Sequence, residues 1–91
     1  MRYFFNIRMR AGLVRDLEGA DYATPALARE EALSVARELI GNRLISGEPV
    51  DWGTEVEIEQ DDGLSAGKVS FFEAAGLPYA LTSVLSKIPS H

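Results

Sequence analysis

The sequence predicts an α+β fold in which a four-stranded antiparallel sheet carries one long amphipathic helix on one face, in the order ββαββ, followed by a short C-terminal helix. Two observations lead to this fold class. Residues 24–46 place their apolar side chains on one side of a helix, and a pair of short alternating segments stands before and after them. At 91 residues the chain is expected to be a single domain over 1–91, with a core from 1 to 75 and a C-terminal helical tail from 76 to 91.

The first strand pair is predicted from the alternation of side chains. The segment Arg2–Met9 alternates as a sheet covered on one face requires. Its predicted core side consists of Tyr3, Phe5, Ile7 and Met9. A turn signal at Ala11-Gly12 follows, and the shorter segment Leu13–Leu17 is predicted as the second strand.

The long helix is predicted from its two ends and from its apolar stripe. Thr24 can accept an N–H group as N-cap, and Pro25 suits the first helical position because it has no N–H to leave unpaired. Gly47 and Pro49 are expected to end the helix. The predicted stripe that faces the sheet consists of Ala28, Ala32, Leu33, Val35, Ala36, Leu39, Ile40 and Leu44.

The second strand pair follows the helix. The segment Thr54–Gln60 is predicted as the third strand and Lys68–Phe72 as the fourth, with a hairpin turn at Asp61-Asp62-Gly63. A second short amphipathic helix is predicted to begin at Pro78. Its apolar residues recur at i, i+3, i+4 and i+7, at Leu81, Val84, Leu85 and Ile88.

The charges on the outer face of the sheet predict which strands are neighbours. The first strand shows Arg8 and Arg10 on the side opposite its core residues, and the third strand shows Glu55, Glu57 and Glu59. Because like charges alone on one face would repel, we expect these two strands to lie side by side.

A set of short motifs in a fixed order resembles a known family. They are Arg2-Tyr3-Phe4-Phe5, Asp16-Leu17-Glu18-Gly19, an alanine- and glutamate-rich helix that ends near Gly47, and Asp61-Asp62-Gly63 before Val69-Ser70-Phe71. This order, over roughly residues 1–75, resembles a family of small alphaproteobacterial proteins of unknown function, whose members often carry histidine at the position of Asn6. The resemblance implies a soluble, stand-alone module and supplies no activity, cofactor or catalytic residue.

Composition excludes several classes of site. The chain has no cysteine, which excludes disulfides, thiolate zinc ligands and a cysteine nucleophile. His91, the last residue, is the only histidine. We therefore expect no cofactor, no metal site and no catalytic residue. The net charge of −5 argues against nucleic acid as a partner. No segment is apolar enough for a signal peptide or a membrane span, so the sequence predicts a cytoplasmic protein without a membrane partner.

Two phenylalanines define the candidate interface. Phe4 and Phe72 are predicted on the sheet face opposite the long helix, where they would form an apolar patch. The C-terminal helix could cover that patch with Leu81, Leu85 and Ile88, or the patch could contact a partner. Trp52, just before the third strand, could cap the core or join the same contact.

The leading functional hypothesis is a non-enzymatic interaction or structural module that associates with itself as a homodimer or with another protein. One alternative is an RNA-binding sheet surface formed by Phe4, Phe72, Arg8 and Arg10. The other is a small enzyme that uses a carboxylate such as Glu57 or Asp62, which would require a concave pocket and a perturbed pKa.

Overall fold

The computed structural model describes residues 1–76 of the chain. It confirms the α+β class, with an antiparallel sheet, one long helix and a short helix toward the C-terminus. In chain order the elements are β1 (Arg2–Met9), β2 (Gly12–Val14), β3 (Ala20–Asp21), α1 (Pro25–Ser46), β4 (Glu55–Gln60), β5 (Ser65–Ser70) and α2 (Phe71–Ala74). The segment 78–88, on which the sequence predicts a helix, lies outside the described residues. No helix within residues 1–76 is long and apolar enough to cross a membrane.

Strand β1 lies at the centre of the sheet. On one side it pairs antiparallel with β4, and β5 pairs antiparallel with the far edge of β4. On its other side β1 pairs with β2 near its end and with β3 near its start, which gives the order β2-β1-β4-β5. Arg8 lies opposite Glu55 and Asn6 lies opposite Glu57. The prediction that the first and third predicted strands are adjacent in the sheet is therefore confirmed.

Three of the four predicted strands differ in their bounds from those observed. The second strand, predicted at Leu13–Leu17, ends at Val14, because the chain leaves the sheet at Arg15 and pairs with β1 again only at Ala20. The fourth strand, predicted at Lys68–Phe72, occupies Ser65–Ser70. The third strand begins at Glu55, one residue later than predicted.

Strand β5 ends at Ser70 because this residue is the N-cap of α2. The Ser70 hydroxyl accepts the Glu73 N–H at 3.1 Å, which starts α2 and removes Phe71 and Phe72 from the strand. The prediction of Phe72 on the outer face of the fourth strand is therefore wrong. Phe71 instead packs into the core from the start of α2, where it is 5% exposed.

Both predicted ends of α1 are confirmed. The Thr24 hydroxyl accepts the Leu27 N–H at 3.2 Å. Gly47 adopts φ +74°, a left-handed conformation that costs glycine little, and its N–H bonds to carbonyls of the last turn. The buried stripe consists of Ala28, Ala32, Ala36 and Ile40. Leu44, predicted to face the sheet, is 65% exposed, because every residue from Asn42 to Ser46 lies beyond the buried part of the helix.

The position of α1 determines which part of the sheet it covers. The three buried alanines have small side chains, so the helix backbone can approach the sheet closely. The helix packs mainly on β4 and β5, above Val56, Ile58 and Val69. The core side of β1 is covered at its start by Tyr22, whose ring lies 6.5 Å from that of Tyr3 and 5.9 Å from that of Phe5. The opposite end of β1 is left beside the helix instead of beneath it.

Candidate functional site

A groove of about 500 Å³ opens between the C-terminal half of α1 and the β1–β2 hairpin. Its apolar lining includes Ile7 and Met9 of β1, Val14 of β2, Leu39 of α1 and Phe71 at the start of α2. Ile7 and Val14 are register partners in the antiparallel ladder, so their side chains lie on the same face of the sheet. The strands and the helix hold these side chains in place, which makes the groove a preformed apolar surface.

The rim of the groove is polar and includes Arg10, Asn42, Arg43 and Asp51. Arg43 forms an ion pair with Glu48, just past the end of α1. Arg10 forms no ion pair with any residue between 1 and 76. The groove therefore combines an apolar base with a cationic side chain at its edge.

Large apolar side chains stand exposed at the same end of the molecule. Val14 is 53% exposed in the groove wall, and Leu44 and Ile45, which follow the rim residue Arg43 in the last turn of α1, are 65% and 88% exposed. Exposed large apolar side chains beside an apolar groove are a common feature of interaction sites in small proteins.

The outer face of the sheet has a different character. Arg8 pairs with Glu57 at 3.1 Å, Arg15 with Glu59 at 3.1 Å and Lys68 with Glu55 at 3.3 Å. All of these residues except Glu55 line a hollow of about 380 Å³. Each β4 glutamate is thus paired with a cation, from β1, from β5 or from Arg15 just after β2, and this pairing favours the observed register of the sheet.

The carboxylates considered for catalysis have structural partners. Glu57 is held by Arg8, as described above. Asp62 accepts the Leu64 N–H at 3.0 Å and so shapes the turn between β4 and β5. Within residues 1–76, no group of three or more histidine, cysteine, aspartate or glutamate side chains is arranged to hold a metal ion.

Asn6 and Asp16 bridge the gap between β2 and β3. The Asn6 Oδ1 accepts the Asp16 N–H at 2.9 Å, and the Asp16 carboxylate accepts the Phe5 N–H at 3.1 Å. Asp16 also accepts the N–H groups of Glu18 and Gly19, both at 3.1 Å. The Asp16 side chain thus satisfies the Phe5 N–H of β1 where neither β2 nor β3 pairs with it.

These contacts change the acidity of Asp16. Burial acts to raise the pKa of the Asp16 carboxyl, but the backbone N–H groups of Phe5, Gly19 and Glu18 outweigh it and hold the pKa below its ordinary value. Gly19 completes the turn at φ +68°. A Cβ atom there would lie 2.7 Å from the Tyr3 carbonyl oxygen and 2.9 Å from the Phe4 ring. The Asp16–Gly19 segment is therefore a structural turn.

The two phenylalanines of the predicted patch lie at opposite ends of the sheet. Phe4 is the register partner of Glu59, whereas Phe72 follows Ser70, the register partner of Glu55. Phe72 stacks on Trp52, with ring centroids 5.5 Å apart and an interplanar angle of 25°. Phe4 and Phe72 therefore do not form the single apolar patch that the sequence predicts. The predicted RNA-binding surface used the same two phenylalanines together with Arg8 and Arg10, so these two rings would not lie side by side in it either.

Of the remaining predicted interface residues, the structure describes only Trp52. Trp52 is partly buried and packs against the core, one of the two placements expected from the sequence. Leu81, Leu85 and Ile88 lie outside the described residues.

The groove residues were missed because alternation alone assigns them to the core. Ile7, Met9 and Leu39 follow the same patterns as their buried neighbours. A geometric signal was nevertheless available. Four strands about 4.8 Å apart form a layer wider than the ~10 Å of a single helix, so one helix cannot cover the whole face.

Comparison with known proteins yields one match. No curated protein and no solved structure matches the chain significantly. A family model described as "Domain of unknown function (DUF6894)" matches residues 2–71, which include every strand and the whole of α1. The match ends where α2 begins. Since it covers well over half of the chain, the protein belongs to the DUF6894 family.

Proposed function

We propose that this protein is a non-enzymatic interaction module that self-associates, and that the groove between α1 and the β1–β2 hairpin receives a second copy of the chain. The single observation that carries the proposal is the preformed apolar groove, in which Ile7, Met9 and Val14 of the hairpin lie beside the helix and Leu39 of the helix lines the other wall. A sheet face that its own helix leaves partly uncovered has apolar surface to bury against another molecule.

The energetic argument rests on apolar area. Burial stabilises a contact by ~25 cal/mol per Å² of apolar surface, and a fully buried leucine-sized side chain contributes about 1.5–3 kcal/mol. The groove wall is built from strands and a helix that are already folded, so little conformational entropy is lost on docking. A few apolar side chains of a partner would therefore give a measurable affinity.

A second copy fits this surface in shape and in charge. One chain carries both a concave apolar groove and, beside it, the exposed side chains of Leu44 and Ile45. A two-fold interface uses the same patch on both chains, so such a patch can be self-complementary. The chain also has a net charge of −5, and a second copy can bring a carboxylate to Arg10 at the rim.

The outer sheet face supports the same choice of surface. Its glutamates are already matched by Arg8, Arg15 and Lys68. Burial of these three ion pairs in an interface would require their desolvation, which costs more than the burial of an apolar groove.

The test uses two lysine substitutions at exposed apolar positions. Val14→Lys places a charge in the groove wall, at a residue that is 53% exposed, and Leu64→Lys places the same charge at a residue that is 63% exposed, in the β4–β5 turn at the opposite end of the sheet. We expect Val14→Lys to weaken the dimer at least about tenfold, because it removes ~1.5 kcal/mol of apolar burial. Leu64→Lys should leave the dimer unchanged.

The measurement is the mass of the full chain by light scattering over a range of concentrations, with far-ultraviolet circular dichroism to show that both variants are folded. Either of two results would contradict the proposal. The full chain could remain monomeric at every concentration, or the two lysine variants could dimerise with the same constant as the parent.

A further inference from the structure

We propose that two copies of the chain join through the outer edge of β2, with Leu13 of one copy opposite Leu13 of the other, so that the two sheets continue into one. This inference rests on the self-association proposed above and names the part of the second copy that reaches the groove. Four features of the described residues support it: the outward backbone groups of β2, the occupied edge of β5, the open space above Gly12, and the charges along the β2 edge.

The backbone of Leu13 points away from the sheet. In an antiparallel ladder, successive residues turn their N–H and C=O groups to alternate sides. The Phe5 N–H bonds to Asp16, on the side of β1 where β2 lies. Ile7, two residues further on, turns to the same side and so bonds to its register partner Val14. Leu13 therefore turns its N–H and C=O groups the other way, to the outer edge of β2, where no strand within residues 1–76 pairs with them.

The other edge of the sheet is already occupied. The Phe71 N–H bonds to the Thr54 carbonyl oxygen at 3.1 Å, so the same alternation turns the backbone groups of Lys68, three residues earlier, to the outer side of β5. There Arg29 of α1 donates to the Lys68 carbonyl oxygen at 3.2 Å and forms an ion pair with Glu73. A strand of another chain would have to displace Arg29 before it could pair with β5. The edge of β2 is therefore the better place for a second copy.

Pairing about Leu13 gives a two-fold contact. A two-fold axis at this point makes the two β2 strands antiparallel, and each Leu13 N–H can donate to the Leu13 carbonyl oxygen of the other copy. Strand β2 has only three residues, so these two bonds hold a single partner strand and side chains must supply the rest of the contact. The same register sets Gly12 of one copy opposite Val14 of the other.

Gly12 leaves room for that valine. A Cβ atom built at Gly12 would meet no atom of residues 1–76 within 4 Å, so the space above it is open. Gly12 is also the register partner of Met9, which lines the groove. Val14 of the second copy, 53% exposed in the single chain, can therefore lie above Gly12 and toward Met9. By symmetry, each copy supplies one valine to the groove of the other.

The charges along this edge are complementary. Counted from Leu13, Arg10 of one copy stands opposite Asp16 of the other, two residues before Glu18. Arg10 and Glu18 are both exposed, and neither forms an ion pair within the part of the chain that the structure describes. The two-fold contact therefore brings each Arg10 to an acidic segment of the other copy.

The first experiment cross-links the proposed contact. The chain has no cysteine, so one introduced thiol per chain can only form a disulfide between two chains. In a hydrogen-bonded strand pair, opposite Cα atoms are about 5.5 Å apart, which suits a disulfide, so Leu13→Cys is the test variant. Leu17→Cys is the matched control on the same edge. Leu17 is 87% exposed whereas Leu13 is partly buried, yet in this register the two Leu17 residues lie ~26 Å apart.

Both full-length variants are oxidised with oxidised glutathione at a concentration where the parent is dimeric by light scattering, and circular dichroism shows that they are folded. We expect Leu13→Cys to cross-link at least about tenfold faster, because the two thiols share a high effective concentration in the dimer. Equal or faster cross-linking of Leu17→Cys would overturn the edge contact and leave self-association itself standing. A parent chain that is monomeric at every concentration would instead refute the proposed function.

The second experiment follows the two backbone bonds by amide hydrogen exchange in the unmodified chain. The N–H groups of Leu13 and Lys68 are the outward amides of the two edges. We expect exchange at Leu13 to slow about tenfold or more when the sample is concentrated from monomer to dimer, and exchange at Lys68 to stay the same. If Leu13 exchanges at one rate in monomer and dimer, or if Lys68 slows in its place, the second copy does not join at β2.

Discussion

At the scale of single residues, Asn6 and Asp16 decide the local structure of β1. Four hydrogen bonds that involve these two side chains take the place of strand pairing between β2 and β3. The Asn6 Nδ2 also donates to Glu59 at 3.1 Å, so both polar atoms of its amide are used and the residue is only 4% exposed. A buried amide at this position is therefore stabilised by its partners on both flanking segments.

The pKa of Asp16 leads to a test of pH dependence. Because its pKa is lowered in the folded chain, Asp16 contributes stability above the ordinary aspartate value of 3.8, and this contribution is lost as the pH falls through the folded pKa. We expect Asp16→Asn to lower the free energy of unfolding by ~1 kcal/mol at pH 7, since an amide is uncharged and its single oxygen can replace only one of the two carboxylate oxygens, which accept the Phe5 N–H on one side and the Glu18 and Gly19 N–H groups on the other.

Urea unfolding of parent and variant at neutral and acidic pH measures this difference. It should shrink as the pH falls below 3.8, because the parent then loses the same charged acceptor. Asp61→Asn, at an exposed residue of the hairpin turn, is the control and should show little difference at either pH. A penalty for Asp16→Asn that is as large in acid as at neutral pH would show that the charge of Asp16 does not stabilise the fold.

At the scale of elements, the sequence predicted those whose ends are set by local chemistry. The helix α1 begins after Thr24 and ends before Gly47 as expected, because a capping hydroxyl and a left-handed glycine act within a few residues. Strand β2 was predicted too long because Asp16 bonds to a strand ten or more residues earlier. The end of β5 was missed because Ser70 caps a helix of four residues, too short for any periodicity to reveal.

The alanine stripe of α1 supports a prediction about the packing of this element. Ala28, Ala32 and Ala36 are fully buried, which leaves no room for a larger side chain between α1 and the sheet. We expect Ala32→Leu to lower the free energy of unfolding by about 1–3 kcal/mol through overpacking. Ser34→Leu, on the exposed side of the same helix, should change it by less than ~0.5 kcal/mol. Chemical denaturation measures both, and equal effects would mean that the stripe is not in close contact with the sheet.

At the scale of the whole molecule, the candidate site depends on where α1 lies across the sheet. The stripe of α1 predicts which side faces the sheet, but β1 and β4 have similar core residues, so the pattern does not select the strands beneath the helix. The structure places α1 over β4 and β5. As a consequence, a groove is lined by Ile7, Met9 and Val14. The alternation of β1 predicts core positions for Ile7 and Met9. The position of α1 across the sheet depends on tertiary packing, namely on how its alanines and Tyr22 pack against the strands. Short-range sequence patterns do not encode that position.

The proposed self-association would make the stability of the molecule depend on its concentration. If folding is coupled to dimer formation, mass action stabilises the folded chain as its concentration rises, by about 0.7 kcal/mol per chain for each tenfold increase above the dissociation constant. For a chain of this size we expect the midpoint of thermal unfolding to rise by ~3–5 °C between two samples about tenfold apart in concentration. In the Val14→Lys variant, whose groove wall carries a charge and whose dimer should be weaker, the midpoints of the two samples should differ by less than those of the parent. Scanning calorimetry measures all four midpoints. If the midpoint of the parent chain does not change with concentration, the folded chain gains no stability from a second copy.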